Sequence, residues 1–316
     1  MNLTIYIPAL NEEGTISNVI TSIPKTIDNV SNIEVLVVDD GSKDHTAKIS
    51  KELGAIVISH STNKGVGMAF QTAVQYCINH NTDIMVSIDA DGQFDTEEIP
   101  RIINPIINNS VDFVTGTRFD NGQPQKMSNI KFWGNKKVNQ IISYISKINI
   151  NDASCGFRAY NREALLNLNL KGKYTYTHES ILELSFKGLS LGQVPIKVKY
   201  FDDRVSRVAN SIFKYFIKTS FIIIKCFRDY KPLPIFLSFA IIFLTLGIGF
   251  IGFTIIHWFK FNSISPYKSI GIAGLFLLSF SLLIFLFALI SDMIGNVRRE
   301  QEKIIYLLKK SNNAKR

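Results

Sequence analysis

Two long uncharged stretches near the C-terminus constrain this 316-residue chain more than any other feature. Pro232–Phe259 and Ser269–Ser291 are each longer than the roughly 20 apolar residues needed to cross the hydrocarbon core of a bilayer. Their apolar residues cover every face of a helix, unlike the single apolar stripe of a helix in a soluble protein. The sequence therefore predicts two membrane-spanning helices within residues 232–291, joined by a short external loop at residues 260–268.

Positive charge is concentrated in the same part of the chain. Residues 214–316 carry a net charge of +10, whereas residues 1–213 carry −1. Basic residues flank the two stretches, and basic flanks stay on the cytoplasmic side of a membrane. The N-terminus has no basic segment followed by an apolar run, so no signal peptide is expected. We therefore expect both termini in the cytoplasm, with a domain at residues 1–209, a basic amphipathic interfacial segment at residues 210–231 and a basic tail at residues 292–316.

Residues 1–200 alternate between short β-branched runs and longer amphipathic stretches. The runs predict strands at Leu3–Ile7, Glu34–Val38, Ile56–Ser59, Ile84–Ile88, Phe113–Gly116 and Leu191–Tyr200. The stretches predict helices near Glu12–Ile23, Asp44–Leu53, Val66–Asn79, Thr96–Ile107, Lys131–Lys147, Arg162–Leu168 and His178–Phe186. Such alternation is typical of an α/β fold with a largely parallel sheet covered by helices on both faces. Ligands of such sheets bind at the carboxyl ends of the strands.

Polar motifs follow the first four predicted strands. They are PALNEE (Pro8–Glu13), DDGSKDHT (Asp39–Thr46), NKGVG (Asn63–Gly67) and DADGQF (Asp89–Phe94). Any one of them is explained by ordinary turn and helix-capping chemistry. Four in succession, with seven carboxylates among them, indicate a binding site at the carboxyl edge of the sheet.

In type and order, these motifs resemble the nucleotide-sugar-binding, Rossmann-like GT-A domain of family 2 glycosyltransferases. The two C-terminal stretches resemble the branch that uses dolichyl or undecaprenyl phosphate and is related to dolichyl-phosphate mannose synthase. The resemblance implies an inverting, metal-dependent transfer of a hexose or N-acetylhexosamine to polyprenyl phosphate at the cytoplasmic membrane face. It favours UDP-sugars over GDP-sugars as donors. It implies no nucleic-acid partner and leaves a homo-oligomer open.

The resemblance assigns Mg²⁺ or Mn²⁺ to Asp89, Asp91 and Gln93, with Asp91 also in a catalytic role and Asp89 also contacting the nucleotide. Asp89 and Asp91 are two residues apart, so an extended chain would point both side chains to the same side. A divalent cation there would neutralise the charge that develops on the departing diphosphate.

The nucleotide pocket is assigned by the same resemblance to residues of the first three motifs, namely Pro8, Asn11, Glu12, Asp40, Lys64 and Gly65. Glu12 has an alternative role as an acidic residue that interacts with a helix dipole. Gly65 and Gly67 would let backbone amides approach the nucleotide closely, and Lys64 would add a positive charge near a phosphate.

Cationic side chains complete the expected site. Arg118, at the end of the fifth predicted strand, can bind a phosphate through two parallel hydrogen bonds. Arg204 and Arg207 follow the last predicted strand and are expected to contact phosphates, although which arginine meets which phosphate stays open. Arg158, in the segment SCGFRAY that resembles the family's acceptor region, is either part of the site or a structural residue paired with a carboxylate.

The acceptor decides whether a catalytic base is needed. A lipid monophosphate, with a second pKa of about 6, is already an anion near neutral pH, whereas a sugar hydroxyl must lose a proton. Glu179, in the motif THES, lies where relatives with hydroxyl acceptors carry a base, and it either serves as one or orients neighbouring cations. His178 is expected to be packed rather than to bind a ligand.

Two other functions remain open at this point. A processive polysaccharide synthase resembles this domain, but such enzymes carry a Gln-x-x-Arg-Trp motif, and no Arg precedes Trp133 or Trp258. A catalytically inactive, membrane-anchored protein that binds nucleotide sugars is the second. Clustered carboxylates argue against it, because they repel one another when no cation is bound.

Overall fold

The computed structural model describes residues 1–120, 122–124, 127–170, 172, 175–199, 221 and 232–314. They belong to two compact units. One contains the residues before position 225 together with residues 305–316, and the other contains residues 225–304. The predicted interfacial segment at residues 210–231 lies outside the described residues except for Phe221.

The first unit is built on a seven-stranded sheet with the order β3-β2-β1-β4-β6-β5-β7. Its strands are β1 (Asn2–Ala9), β2 (Asn32–Asp39), β3 (Ile56–Ser59), β4 (Ile84–Ser87), β5 (Phe113–Thr117), β6 (Arg158–Asn161) and β7 (Leu191–Pro195). All neighbouring strands are parallel except that β6 runs antiparallel to both β4 and β5. The sheet is therefore largely parallel, as predicted, and the carboxyl ends of β1 to β5 lie along one edge.

Helices alternate with these strands. They are α1 (Ile16–Ser22), α2 (Thr46–Glu52), α3 (Val66–Asn79), α4 (Ile99–Ile107), α5 (Asn129–Ser146), α6 (Arg162–Asn167) and α7 (Thr177–Phe186). A single 3₁₀ turn, Thr96–Glu98, precedes α4 in the described chain. The GT-A-like α/β fold that the sequence predicts is confirmed.

Both faces of the sheet are covered because successive side chains of a strand point to opposite sides. Ile5 and Ile7 belong to one apolar cluster with residues of α1 and α4. Tyr6 points the other way, where its ring meets Phe70 of α3 edge to face, and Phe70 stacks on Tyr176 at a centroid distance of 4.1 Å. Apolar side chains therefore pack on both faces of the sheet.

Local boundaries differ from the sequence prediction at three places. Strand β6 was not expected, and β7 ends at Pro195, although Val198 still forms a bridge with Phe94. Helix α1 begins at Ile16 instead of near Glu12, because the preceding residues form a loop in which Asn11 adopts a φ of 50°.

The described residues of the second unit form two helices, α8 (Pro232–Phe261) and α9 (Lys268–Ala314), and the end of α9 from residue 305 belongs to the first unit. Each is long and apolar enough to cross a membrane. They pack closely where glycine exposes the backbone: a Cβ on Gly247 would lie 3.1 Å from the carbonyl oxygen of Gly274. The predicted tail at residues 292–316 is helical as far as residue 314.

Candidate active site

The four polar motifs meet at the carboxyl edge, and hydrogen bonds tie the first to the second. Asn11 accepts a bond from the Lys43 amide at 2.8 Å and donates its own amide to the Ser42 hydroxyl at 2.9 Å. The Glu12 amide donates to the hydroxyl of Thr46 at 2.8 Å. These hydrogen bonds join the loop after β1 to the loop after β2. Pro8, in the first of these motifs, is half-buried.

Asp40 joins the second motif to the third. Its carboxylate accepts hydrogen bonds from the amides of Lys64 at 2.9 Å and Gly65 at 2.8 Å, and it lies 2.7 Å from Nδ1 of His60. Gly65 adopts a φ of 95°, a backbone conformation that would be strained for a residue with a side chain. The Gly65 amide, expected to face the nucleotide, thus donates to Asp40, while the Lys64 side chain is exposed.

His60 contacts this candidate site, which the sequence did not indicate. Its Nε2 lies 3.0 Å from the hydroxyl of Thr72 on α3, so the ring bridges Asp40 and that helix. Asp40 is 20 residues away in the chain, and no local pattern marks such a pair.

Asp89 and Asp91 follow β4, but not on an extended chain. The strand ends at Ser87, and Gly92 at a φ of 72° turns the chain, with the Gln93 amide donating to Asp91 at 3.0 Å. The backbone turns at Ala90 and Asp91, so the extended conformation that would align the two carboxylates is not present. Burial, and then the negative charge of Asp91, raise the pKa of Asp89 to about 7, so the two carboxylates nevertheless interact.

Two charges from other elements also act on Asp89. Arg118 lowers its pKa and Glu12 raises it, so the ends of β1, β4 and β5 converge on this carboxyl group. Glu12 itself accepts a hydrogen bond from the hydroxyl of Thr15 at 3.0 Å. Within the described residues, no group of three or more His, Cys, Asp or Glu side chains is arranged to hold a metal ion.

Gly156 allows the chain before β6 to pass directly against Asp89. A Cβ on Gly156 would lie 3.0 Å and 3.1 Å from the two carboxylate oxygens of Asp89, closer than side chains normally pack. The Tyr176 hydroxyl donates to the carbonyl of Gly156 at 3.2 Å and lies 2.7 Å from the hydroxyl of Ser87. The backbone at Gly156 thus lies directly against the Asp89 carboxylate, although the two residues are 67 positions apart in the sequence.

Arg118 is oriented by an acidic residue. Its Nε and Nη2 donate to the two carboxylate oxygens of the fully buried Asp152 at 2.7 Å and 2.9 Å, and Nη2 also donates to Ser154 at 2.8 Å. Asp152 therefore already occupies one edge of the Arg118 guanidinium, the group that is expected to bind a phosphate. Arg118 is largely buried, so the ion pair excludes most solvent.

Arg158 has the structural role that was one of its two expected alternatives, but with different partners. The fully buried guanidinium donates to three backbone carbonyls, those of Ala153, Cys155 and Thr177, and to the Ser180 hydroxyl. Burial, and then the charge of Arg158, lower the pKa of the buried His178 to about 3. His178 is packed, as expected, and neutral near pH 7.

Glu179 forms a hydrogen bond with the loop before α7. Its carboxylate accepts a hydrogen bond from the amide of Gly172 at 3.0 Å, and the carbonyl of Gly172 accepts one from Gln71 at 3.2 Å.

Gln93 is half-buried at the turn after β4. Arg204 and Arg207 lie outside the described residues.

Acidic loops and Arg118 thus converge at the carboxyl edge of a GT-A-like sheet, which agrees with the class of enzymes that transfer a sugar from a nucleotide sugar. The chain belongs to glycosyltransferase family 2, because the sequence model described as "Glycosyl transferase family 2" matches residues 4–168. The resemblance drawn from the four motifs is thereby confirmed.

Two relatives carry more specific names. A UDP-N-acetylglucosamine–dolichyl-phosphate N-acetylglucosaminyltransferase of Methanococcus voltae is 34% identical over 239 residues, covering 68% of this chain and 93% of the relative. A dolichyl-phosphate hexose transferase of Haloferax volcanii is 28% identical over 195 residues, covering 62% of this chain and 82% of that protein.

A solved structure shares the fold. Glucosyl-3-phosphoglycerate synthase from Mycobacterium tuberculosis, crystallised with Mn²⁺, UDP-glucose and phosphoglyceric acid, superposes with a TM-score of 0.56 at 22% identity. The match covers 71% of this chain and 79% of the other. It supports the GT-A-like architecture of the sheet and its helices.

Proposed function

We propose that this glycosyltransferase moves a hexose or N-acetylhexosamine, with inversion, from a nucleotide sugar to polyprenyl phosphate at the cytoplasmic membrane face. The observation that carries the proposal is the convergence of Asp89, Asp91 and Arg118 at the carboxyl edge of the sheet. The relatives named for transfer to dolichyl phosphate support the acceptor, and the Methanococcus voltae relative favours a UDP-sugar donor.

The acidic pair suits a divalent cation. Mg²⁺ typically takes one or two protein carboxylates and completes its shell with phosphate oxygens and water, so a third protein ligand is not needed. Asp89 and Asp91 would hold Mg²⁺ or Mn²⁺, with Gln93 beside them, and the cation would neutralise the departing diphosphate. Burial and the repulsion from Asp91 both raise the pKa of Asp89, and a bound cation relieves that repulsion.

The remaining residues bind and orient. Asp40 holds the loop of Lys64 and Gly65 against the nucleoside side of the site, with Pro8, Asn11 and Glu12 on the adjoining loop. Arg118, fixed by Asp152, is positioned to stabilise negative charge on a phosphate. Arg204 and Arg207 are proposed to bind further phosphate oxygens.

No strong base is required for this acceptor. A lipid monophosphate attacks through an oxygen that is already anionic near pH 7. Glu179 is accordingly assigned to holding Gly172, and the neutral His178 takes no proton. The apolar helices α8 and α9 and their basic flanks would keep the domain at the cytoplasmic side, where a polyprenyl chain is accessible.

A donor panel tests this function. Membranes containing the full chain receive radiolabelled UDP- and GDP-sugars, and the label that moves into the chloroform-soluble fraction is counted. We expect transfer from one UDP-hexose or UDP-N-acetylhexosamine. Label that accumulates instead in insoluble polymer would indicate a processive synthase. Label that stays in the aqueous phase with every donor would overturn the proposal.

A further inference from the structure

His60 follows β3 directly and forms side-chain hydrogen bonds to which the proposed chemistry gives no role. Its Nδ1 lies 2.7 Å from the carboxylate of Asp40, which follows β2, and its Nε2 lies 3.0 Å from the hydroxyl of Thr72 in α3. The side chains of His60 and Asp40 are each only 7% exposed. Protein groups therefore engage both ring nitrogens, and the ring is not presented to a substrate.

The other partners of Asp40 determine the direction of its bond with His60. The backbone amides of Lys64 and Gly65 donate to the two carboxylate oxygens at 2.9 Å and 2.8 Å, so Asp40 acts as an acceptor. Nδ1 must then carry the proton of the bond between His60 and Asp40. One oxygen of Asp40 receives both this proton and the Lys64 amide. His60 and the loop after β3 thus meet at a single carboxylate.

The loop at residues 61–65 also touches the end of β2 through its backbone. A Cβ on Gly41 would lie 2.8 Å from the carbonyl carbon of Thr62 and 2.9 Å from the amide nitrogen of Asn63, so the two chain segments are in direct contact. Gly41 is adjacent to Asp40 in the chain and adopts a φ of 80°. The position of the loop therefore depends on Asp40 and Gly41 together.

Helix α3 gives the ring of His60 its second anchor. The helix begins at Val66, directly after the Gly65 amide that donates to Asp40, and Thr72 lies six positions later. His60 thus connects the carboxylate at the start of α3 with a hydroxyl farther along the same helix. A side chain that is bonded at two points and buried has few orientations open to it, which makes it suited to fixing a neighbour.

We propose that His60 is a positioning residue for the donor nucleotide and that it acts through Asp40. This inference rests on the proposed function, which assigns Asp40 and the loop of Lys64 and Gly65 to the nucleoside side of the site. His60 holds the carboxylate, and with it the loop, in the binding conformation before the donor arrives. The cost of ordering the loop is then not paid when the donor binds, which favours affinity.

The same geometry separates binding from chemistry. Because both nitrogens of the ring are engaged by Asp40 and Thr72, His60 does not exchange protons with the reacting atoms. Loss of the ring should therefore change the KM for the donor and leave kcat nearly the same. A residue that served only to stabilise the fold would lower the melting temperature and leave donor affinity unchanged.

Nucleotide affinity tests the inference. The full chain is purified in detergent, and the Kd values of UDP and of GDP are measured by calorimetry with Mn²⁺ present. His60→Leu removes both ring bonds, whereas His60→Asn retains an N–H that can still donate to Asp40. Thr72→Val keeps the ring and removes only the partner of Nε2. The matched control is His80→Leu, the same change at an exposed histidine at the other end of α3.

We expect His60→Leu to raise the Kd of the bound nucleotide about tenfold, because a hydrogen bond to a charged group is worth roughly that factor. Thr72→Val should have a smaller effect in the same direction. His60→Asn should recover most of the lost affinity, and His80→Leu should bind as the unmodified protein does. Amide hydrogen exchange at residues 60–67 should be faster in His60→Leu, since the Lys64 and Gly65 amides lose a fixed acceptor.

Two results would overturn the inference while the proposed function stands. One is a His60→Leu protein that binds UDP or GDP as tightly as the unmodified protein, even when its melting temperature is lower. The other is unchanged hydrogen exchange at residues 60–67, which would show that Asp40 holds the loop without His60. An unmodified protein that binds neither nucleotide would instead refute the proposed donor site itself, and the role of His60 with it.

Discussion

Arg118 and Asp152 are joined at two points, with Nε and Nη2 of the arginine 2.7 Å and 2.9 Å from the two carboxylate oxygens. Asp152 is completely buried, so it contacts no solvent and serves to hold the guanidinium. Arg118 in turn acts electrostatically on Asp89, which links a buried acid to the proposed cation site.

We predict that Asp152→Asn destabilises the fold by about 3 kcal/mol, because removal of one partner leaves a largely buried cation without its counter-charge. Transfer should also fall by about 10–100-fold as Arg118 loses its orientation. Arg101→Gln is the control, since the exposed Arg101 lies 3.8 Å from Glu98 and such pairs contribute little. Equal stability losses in chemical denaturation would refute the assignment.

Gly156→Ala should impair the site more than the fold. The added Cβ would press on both carboxylate oxygens of Asp89, which has to shift away from the proposed cation. We expect transfer to be lost with only a small change in melting temperature. Gly134→Ala is the matched control because nothing lies within 4 Å of its Cβ, and on a helix it should stabilise by up to about 1 kcal/mol. Full activity of the Gly156 variant would contradict this account.

The raised pKa of Asp89 makes the stability of the metal-free protein depend on pH. Between its ordinary pKa near 4 and its folded-state pKa of about 7, the folded protein binds more protons than the unfolded chain. Folding stability should therefore decrease as pH rises through this window. The measurement is thermal unfolding in excess chelator from pH 5 to pH 8.

Asp89→Asn should remove this part of the pH dependence, and Mn²⁺ should raise the melting temperature of the unmodified protein more at pH 7.5 than at pH 5.5. The sign follows because cation binding requires the ionised carboxylate. A melting temperature with the same pH profile in both proteins would show that Asp89 does not titrate in this range.

Lys309 caps the end of α6. Its amine donates to the carbonyls of Leu168 at 2.8 Å and Leu166 at 3.3 Å and to Asn169 at 2.9 Å, so it satisfies carbonyls that a helix end leaves unpaired. Lys309→Met should cost about 1–2 kcal/mol and speed amide hydrogen exchange in α6. Lys310→Met, which removes an exposed amine that donates to the Tyr306 hydroxyl and to no carbonyl of α6, should change the exchange much less.

Much of this fold can be predicted from the sequence, because parallel strands that are buried on both faces consist of short apolar runs. The runs before Pro8, Asp39 and Asp89 became β1, β2 and β4, and the polar residues after them lie at one edge. The sequence did not predict strand β6, because it is four residues long and begins with the buried Arg158, which interrupts the apolar pattern. Its antiparallel direction is set by pairing with β4 and β5, not by local sequence.

The site was less predictable than the sheet. Residue types at strand ends indicated which side chains gather, but not which of them bind each other. The bonds of Asp40 to the Lys64 and Gly65 amides, the ion pair of Arg118 with Asp152 and the approach of Gly156 to Asp89 all join residues at least 24 positions apart. Such pairs depend on the folded geometry, which spacing in the sequence does not encode.

The most direct test of the central claim is transfer of radiolabelled sugar into the chloroform-soluble fraction by membranes containing Asp91→Ala. Asp28→Ala, which removes an exposed carboxylate between α1 and β2, is prepared as the control at equal expression. The account predicts that the Asp91 variant is inactive at every Mg²⁺ and Mn²⁺ concentration and that the Asp28 variant keeps full, chelator-sensitive activity. Undiminished lipid labelling by the Asp91 variant, or by the unmodified protein in excess chelator, would contradict it.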